Sequence, residues 1–410
     1  MLELDEGFNL GLLDIWGICK QMKIPSQSGN TSYEPILTKH GGEIEIWYKT
    51  GPGQFISHPF RVQRFIPLHR KTFQAFGLIQ AESTKKLKHV SFDFSNIIPE
   101  VVRFIMDYFE EIWGISRKNW KVYVEYWRGK PSDFKKKGII RFWAHQLSVS
   151  EWQIKVRVGK ETRFSRRAAV FGTAAIRLNS RIAQTLIMTV LDRIKTLAES
   201  DSRAAGAYLC GLLAGDGVVL EYKGIFTAVG LSFNPHSDEL EHYTKVLATA
   251  GVHIEKEKLA RSGAKVMYFT HWRDSIALLK ASDGYLFLPH RRNAVRFYKG
   301  FLYNQYIRPL LRLRVFKERQ LTAREFARLV GICKRTANLG LNRCVNLGFL
   351  GINGKGTTSS PFRFYLTEGG RMFLEVVNKI ERLRCELDGK ASMPDCCNDG
   401  TGGCRENNTA

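Results

Sequence analysis

The chain is short of acids, of long apolar runs and of ordered cysteines, and each shortage excludes a class of protein. Charged residues interrupt every apolar run, Arg181 and Asp192 bounding the one at 182–191, so none reaches the about 20 residues that cross a bilayer as a helix. The first residues, MLELDEGF, are acidic and lack the charged-then-apolar order of a secretion signal, so an intracellular protein is expected. Eight cysteines spread over 410 residues do not make a compact disulfide framework. Four of them, Cys385, Cys396, Cys397 and Cys404, gather near the end, where four sulfurs could hold zinc. That segment (DCCNDGTGGCRENNTA) has no paired C-x-x-C knuckle and little to pack, so residues 381–410 are expected to be a disordered tail.

Acids number 39 against 62 Lys and Arg, a formal charge of +23. Like charges at this density repel within a compact monomer, and a polyanion relieves that repulsion. Phosphates would also release counterions on binding, which drives association. A basic protein that is merely soluble, or that meets acidic membranes, is the other reading of the charge. A hydrophobic fraction of 44 % is normal for a globular chain, and this length predicts two to four domains.

Two segments repeat an order of features. From Pro67 a helical stretch (LHRKTFQAFGLIQA) leads to Glu82, then to alternation through Val90, Phe92 and Phe94, then to a helix (PEVVRFIMDYFEEIW) ending at Gly114. From Ser202 a helical stretch (RAAGAYLCGLLAG) leads to Asp216, then to alternation through Ile225, Val229, Leu231 and Phe233, then to a helix (SDELEHYTKVLATA) ending at Gly251. Gly114 follows Glu82 by 32 residues and Gly251 follows Asp216 by 35. The spacing predicts an internal duplication over residues 66–198 and 199–312.

Further alternating segments (WKVYVEYW, QIKVRV and KVMYFTHW) predict strands with one apolar face. Their other face offers Lys121, Lys155 and Arg157, a basic and aromatic platform suited to a DNA groove. An ordinary solvated sheet face reads the same way. Extra sequence in the first repeat (RGKPSDFKKKGIIRFW) precedes its strand AAIRLN and the helix SRIAQTLIMTVLDRIK. Residues 1–65 alternate in places (EIEIWYK) and carry no nameable chemistry, so they are read as an N-terminal extension.

Beyond Arg314 the pattern becomes helix, turn, helix, hairpin and helix, with Phe326, Ala327, Val330, Ile332, Leu341 and Leu350 spaced for a small core. Residues 313–380 hold twelve bases and four acids and resemble a winged helix-turn-helix. That resemblance places Lys334, Arg335 and Asn338 at the start of a recognition helix, in reach of a major groove. Such modules also bind proteins. Gly340 inside that helix costs up to about 1 kcal/mol relative to Ala.

Chemistry concentrates on AFGLIQAES (75–83) and LCGLLAGDG (209–217). Gly77 and Ala81 are four apart, as are Gly211 and Gly215, which puts small residues on one helix face and lets two backbones approach. If the helices pack together, Glu82 and Asp216 meet at their C-terminal ends. The helix dipole disfavours an acid there, and two acids repel each other. A divalent cation such as Mg²⁺ reverses both effects, since it prefers oxygen ligands and keeps waters for a phosphate substrate. For one acid alone, a solvated helix end is the better explanation.

These two segments resemble the paired signature motifs of the LAGLIDADG homing endonucleases in their single-chain form, with Gln80 and Ser83 as departures. The resemblance spans roughly residues 66–312. It implies an α+β fold of two pseudo-symmetric αββαββα repeats with saddle-shaped antiparallel sheets, followed by the winged helix. It also implies that Glu82 and Asp216 hold Mg²⁺ or Mn²⁺ and that the chain, acting as a monomer, cuts both strands of duplex DNA. Lys85 matches a Glu-x-x-Lys arrangement of some members and would stabilise the charge on the scissile phosphate. Its counterpart in the second repeat is Val219, while Arg177, Arg181 and Arg291 are other candidates for a basic catalytic role. The chain lacks the Cys/Ser start and His-Asn end of an intein, so a free-standing or intron-encoded protein is expected, cytoplasmic and nucleoid-associated or in an organelle. Two rivals share the scaffold: a transcription regulator that does not cut, and a maturase that binds intron RNA.

Overall fold

A computed structural model describes residues 8–26, 30–50, 55–83, 91–126, 129–159, 170–222, 225–233, 238–254, 256–259, 265–269, 272–357 and 361–389. The chain is a mixed α+β protein with several small sheets. No helix among the described residues is long and apolar enough to cross a membrane.

Two helices, Arg70–Glu82 and Ser202–Asp216, pack along each other at the centre, buried through almost their whole length. Small residues allow this. A Cβ added at Gly77 would lie 2.1 Å from the Tyr208 carbonyl oxygen, and one at Gly211 would lie 1.9 Å from that of Gln74. The backbones therefore touch where any larger residue would hold them apart. His69 caps the first helix, its Nδ1 accepting from the Thr72 N–H, and the Asp201 carboxylate caps the second, accepting from Arg203 and Ala204. Both caps satisfy otherwise orphaned N–H groups.

A four-stranded sheet follows each of these helices. In the second half, Gly217–Tyr222, Ile225–Phe233, Lys265–Phe269 and Lys256–Leu259 lie in that spatial order, all antiparallel. Together with Glu239–Thr249 and Trp272–Ala281 they give the expected αββαββα order.

The first half departs from that order. Its sheet runs Ile154–Val158, Lys121–Tyr126, Thr173–Leu178, Phe92–Asn96, and the first two strands are parallel, with Lys155 opposite Tyr123. The expectation of a wholly antiparallel sheet is corrected here. The cause is the extra sequence, which forms the helix Asp133–Leu147. A parallel neighbour needs a crossover, and this helix supplies it by packing on the strand it leads into. The expected alternation before Phe92, including Val90, lies outside the described residues, as do 160–169.

Pro99–Trp113 and Arg181–Ala198 cover the apolar face of the first sheet, and Arg291–Leu302 packs on the second. Aromatic edges interlock beneath the first sheet, with Phe92, Phe109 and Trp120 all within 6.2 Å of one another by ring centre.

The N-terminal residues are not a separate extension. Asn9–Asp14 pairs with Phe65–His69, so a boundary between residues 65 and 66 would cut a strand in two. A further sheet of Ile36–His40, Glu43–Trp47 and Phe60–Gln63 completes this part.

The C-terminal module holds a three-stranded sheet of Leu321–Thr322, Arg363–Leu366 and Leu350–Asn353, with helices Ala323–Val330, Lys334–Asn346 and Glu368–Leu387. Thr322 and Glu325 form a capping box, and left-handed Gly331 ends the first of these helices. Phe326, Ala327, Leu341 and Leu350 are buried in its core, with Val330 and Ile332 half-buried. The last helix runs to Leu387, so residues 381–387 belong to it rather than to a disordered tail. Its length follows from an apolar row (Phe373, Val377, Ile380, Leu383) that packs on Trp272–Ala281 and Arg291–Leu302. Cys396, Cys397 and Cys404 lie outside the described residues, while Cys385 sits on the helix as a free thiol.

Candidate functional site at the helix pair

Each central helix ends on an acid and turns at once into extended chain, at Ser83 and at Gly217. The shared helix contact carries the two ends together. A Cβ at Gly215 would stand 2.5 Å from the Ala81 Cβ and 3.0 Å from the Glu82 Cγ, so the residue before Asp216 touches the Glu82 side chain. Glu82 and Asp216 are both half-buried.

Burial raises the Glu82 carboxyl from an ordinary 4.5 to about 8, and the Asp216 charge adds to the rise. Asn96 opposes it, donating from Nδ2 to Glu82 Oε1 at 2.6 Å. The Asn96 amide is held the right way round, because its Oδ1 accepts from the Ile98 N–H at 2.8 Å. On the other side, Tyr243 is buried, and burial with the Glu239 and Asp216 charges pushes its hydroxyl well up. The Glu82 carboxyl thus sits in a poorly solvated place within reach of the Asp216 charge.

Asn96 was not legible as a partner. It follows Glu82 by 14 residues, and only the sheet returns it to the helix end, beside the bridge between Ser83 and Phe94.

The donor set is compatible with a hard cation: two carboxylates near each other, one of them held largely protonated at neutral pH without it. No cluster of three or more His, Cys, Asp or Glu suited to a metal occurs among the described residues, so any ion there would draw further oxygens from water and substrate.

The structure separates the candidate basic residues. Lys85 lies outside the described residues. Arg177 makes a two-armed ion pair with Asp93, at 2.6 and 2.8 Å, on the first sheet's open face. Arg291 donates to the Leu387 carbonyl, Arg181 begins its helix, and Val219 is buried.

Lys121, Lys155 and Arg157 are exposed on that open face. Its centre is Tyr123, whose ring carries the Arg157 guanidinium at 3.8 Å and that of Arg177 at 4.9 Å. Lys334, Arg335 and Asn338 are exposed together on Lys334–Asn346, whose other face buries Ala337, Leu341 and Cys344.

No protein-family model matches the chain, and no curated protein does. Among solved structures, it is similar to I-DmoI in complex with DNA and Ca, at 15 % identity and a TM-score of 0.25 over 51 % of this chain and 87 % of that one. It is also similar to full-length DUF199/WhiA from Thermatoga maritima, at 12 % identity and a TM-score of 0.31 over 68 % of this chain and 91 % of that one. Both likenesses are distant.

Proposed function

We propose that the chain is a site-specific DNA endonuclease of the LAGLIDADG homing type, hydrolysing phosphodiesters with a divalent cation held by Glu82 and Asp216. The observation that carries the reading is the joining of these two acids by touching helices, at a place where burial lifts Glu82 to about 8. Two carboxylates so placed are costly alone and become favourable beside a cation. When bound, Mg²⁺ or Mn²⁺ would lower the pKa of a water and neutralise charge on the leaving oxygen.

The chain's own residues orient that chemistry. Asn96 fixes the Glu82 rotamer, and the rigid helix pair sets the carboxylate spacing. Lys85 is proposed, from its Glu-x-x-Lys position, to sit near the scissile phosphate. The open sheet face with Lys121, Lys155 and Arg157 would straddle duplex DNA, and the C-terminal module is proposed as a winged helix presenting Lys334, Arg335 and Asn338 to a major groove. The two halves are read as pseudo-symmetric, with the crossover in the first as a local elaboration.

Cleavage of DNA carrying the chain's own insertion locus, with and without Mg²⁺, tests this. Glu82→Gln and Asp216→Asn are each expected to lower metal-dependent cutting by at least about a hundredfold, the scale of removing a charge-stabilising group, while duplex affinity stays within about twofold of the parent. Full cutting by either variant removes the pair from the chemistry.

One observation favours a second reading, a DNA-binding regulator that does not cut. A carboxyl with a pKa of about 8 is mostly protonated at neutral pH, and a proton relieves the repulsion as a cation would. Specific, salt-dependent duplex binding with no cleavage by the parent under any divalent metal would establish that reading instead.

A further inference from the structure

Between the second half and the C-terminal module the chain forms an eight-residue 3-10 helix, Arg308–Val315. Such helices repeat every three residues, and the burial here follows that period: Ile307, Leu310, Leu313 and Phe316 are all buried. The row anchors the backbone of the segment to the core.

The segment from Tyr303 to Phe316 contains three arginines and no acid. Arg314 turns inward, to Glu381 at 2.7 Å and Asn378 at 3.1 Å on the last helix. Arg308 and Arg312 are exposed, and among the described residues neither meets an acid or another partner. Both line a recess of about 710 Å³ together with Tyr303, Gln305, Pro309 and Leu311.

Tyr306, between the recess residues Gln305 and Arg308, meets the exposed helix of the C-terminal module. Arg343 of Lys334–Asn346 stands over the Tyr306 ring at 5.5 Å, so basic surface continues from that helix onto the segment. Each guanidinium offers a fork of donors that suits the paired oxygens of a phosphodiester, and Tyr303 and Gln305 flank the two.

We propose that Arg308 and Arg312 form a phosphate-backbone site for duplex DNA on the segment that joins the second half to the C-terminal module. It rests on the reading of the chain as a DNA binder, and it would set register on the duplex without reading sequence. A rigid contact here would also couple the two modules, since each would engage the same duplex at a set distance.

The test is the salt dependence of binding of the full chain to a long random-sequence duplex, for the parent, Arg308→Gln/Arg312→Gln and Arg308→Lys/Arg312→Lys. Each lost phosphate contact lowers the slope of log K against log salt by about 0.9. The glutamine double variant is therefore expected to lose about one to two units of slope, with unchanged thermal unfolding because both side chains are exposed. The lysine variant is expected to restore the slope, since counterion release depends on charge. A parent that binds with a steep slope and a glutamine variant that matches it would overturn this site alone. A parent with no salt-dependent binding would instead overturn the DNA reading itself.

Discussion

At the scale of single residues, the chemistry turns on how Glu82 is kept. Its folded pKa of about 8 lies above the ordinary 4.5, so between those values the folded state holds a proton that the unfolded state has released. Stability from this group is therefore fully present below about 4.5 and lost as pH rises toward 8. Glu82→Gln cannot ionise, and its melting temperature should lack this decline. The measurement is thermal unfolding against pH for parent and variant, without metal and with Mg²⁺. Mg²⁺ is expected to lift the parent most near the alkaline end, and the variant little. Parallel curves for the two proteins, with no metal effect, would sink the account of Glu82 as a strained carboxyl. Asn96 matters at the same scale, because its amide is held by Ile98 and so presents a donor rather than an acceptor.

At the scale of elements, two helices show opposite uses of glycine. Gly211 sits where an added Cβ would lie 1.9 Å from the Gln74 carbonyl oxygen, and no flexible side chain can move aside. Gly211→Ala should cost roughly 1–3 kcal/mol by forcing the helices apart, and it should disturb Glu82 and Asp216 along with them. Gly340 in Lys334–Asn346 faces open space, with nothing within 4 Å of its Cβ position. Gly340→Ala should therefore stabilise by about 0.5–1 kcal/mol through helix propensity. Denaturant unfolding of both variants checks the pair, and a neutral Gly211→Ala would contradict the backbone contact. Glycine is a necessity in the first helix and an unclaimed gain in the second.

At the scale of the whole molecule, the C-terminal module is built into the rest. Arg70, buried at the start of the first central helix, donates to the Ser282 carbonyl and pairs with Asp283 at 3.2 Å. Lys379 of the last helix reaches the same Asp283 at 2.6 Å, and the Arg70 and Lys379 cations both stand over the Tyr285 ring. One junction thus ties the first half, the second half and the final helix. Removing residues 317–410 would strip that helix from Trp272–Ala281 and Arg291–Leu302 and expose their apolar faces. The shortened chain should melt several degrees lower and be cut first by protease within 272–302. An unchanged melting temperature would show instead that the module is only tethered.

Local signals in the chain were sufficient wherever the cause was local. Hydrophobic period and glycine spacing placed the two central helices, the strands and the small C-terminal core, because propensity and patterning act over a few residues. The GxxxA and GxxxG spacings also announced a close helix contact, and hence the meeting of Glu82 with Asp216. What only tertiary packing decided was everything that depends on residues distant along the chain. The parallel strand in the first sheet, the strand joining residue 9 to residue 69, the Asn96 amide at Glu82 and the Arg70–Asp283–Lys379 junction all belong there. Those pairings have no period to betray them. They exist because burial brings the polar groups together, and a buried polar group must find its partner wherever the fold has placed one.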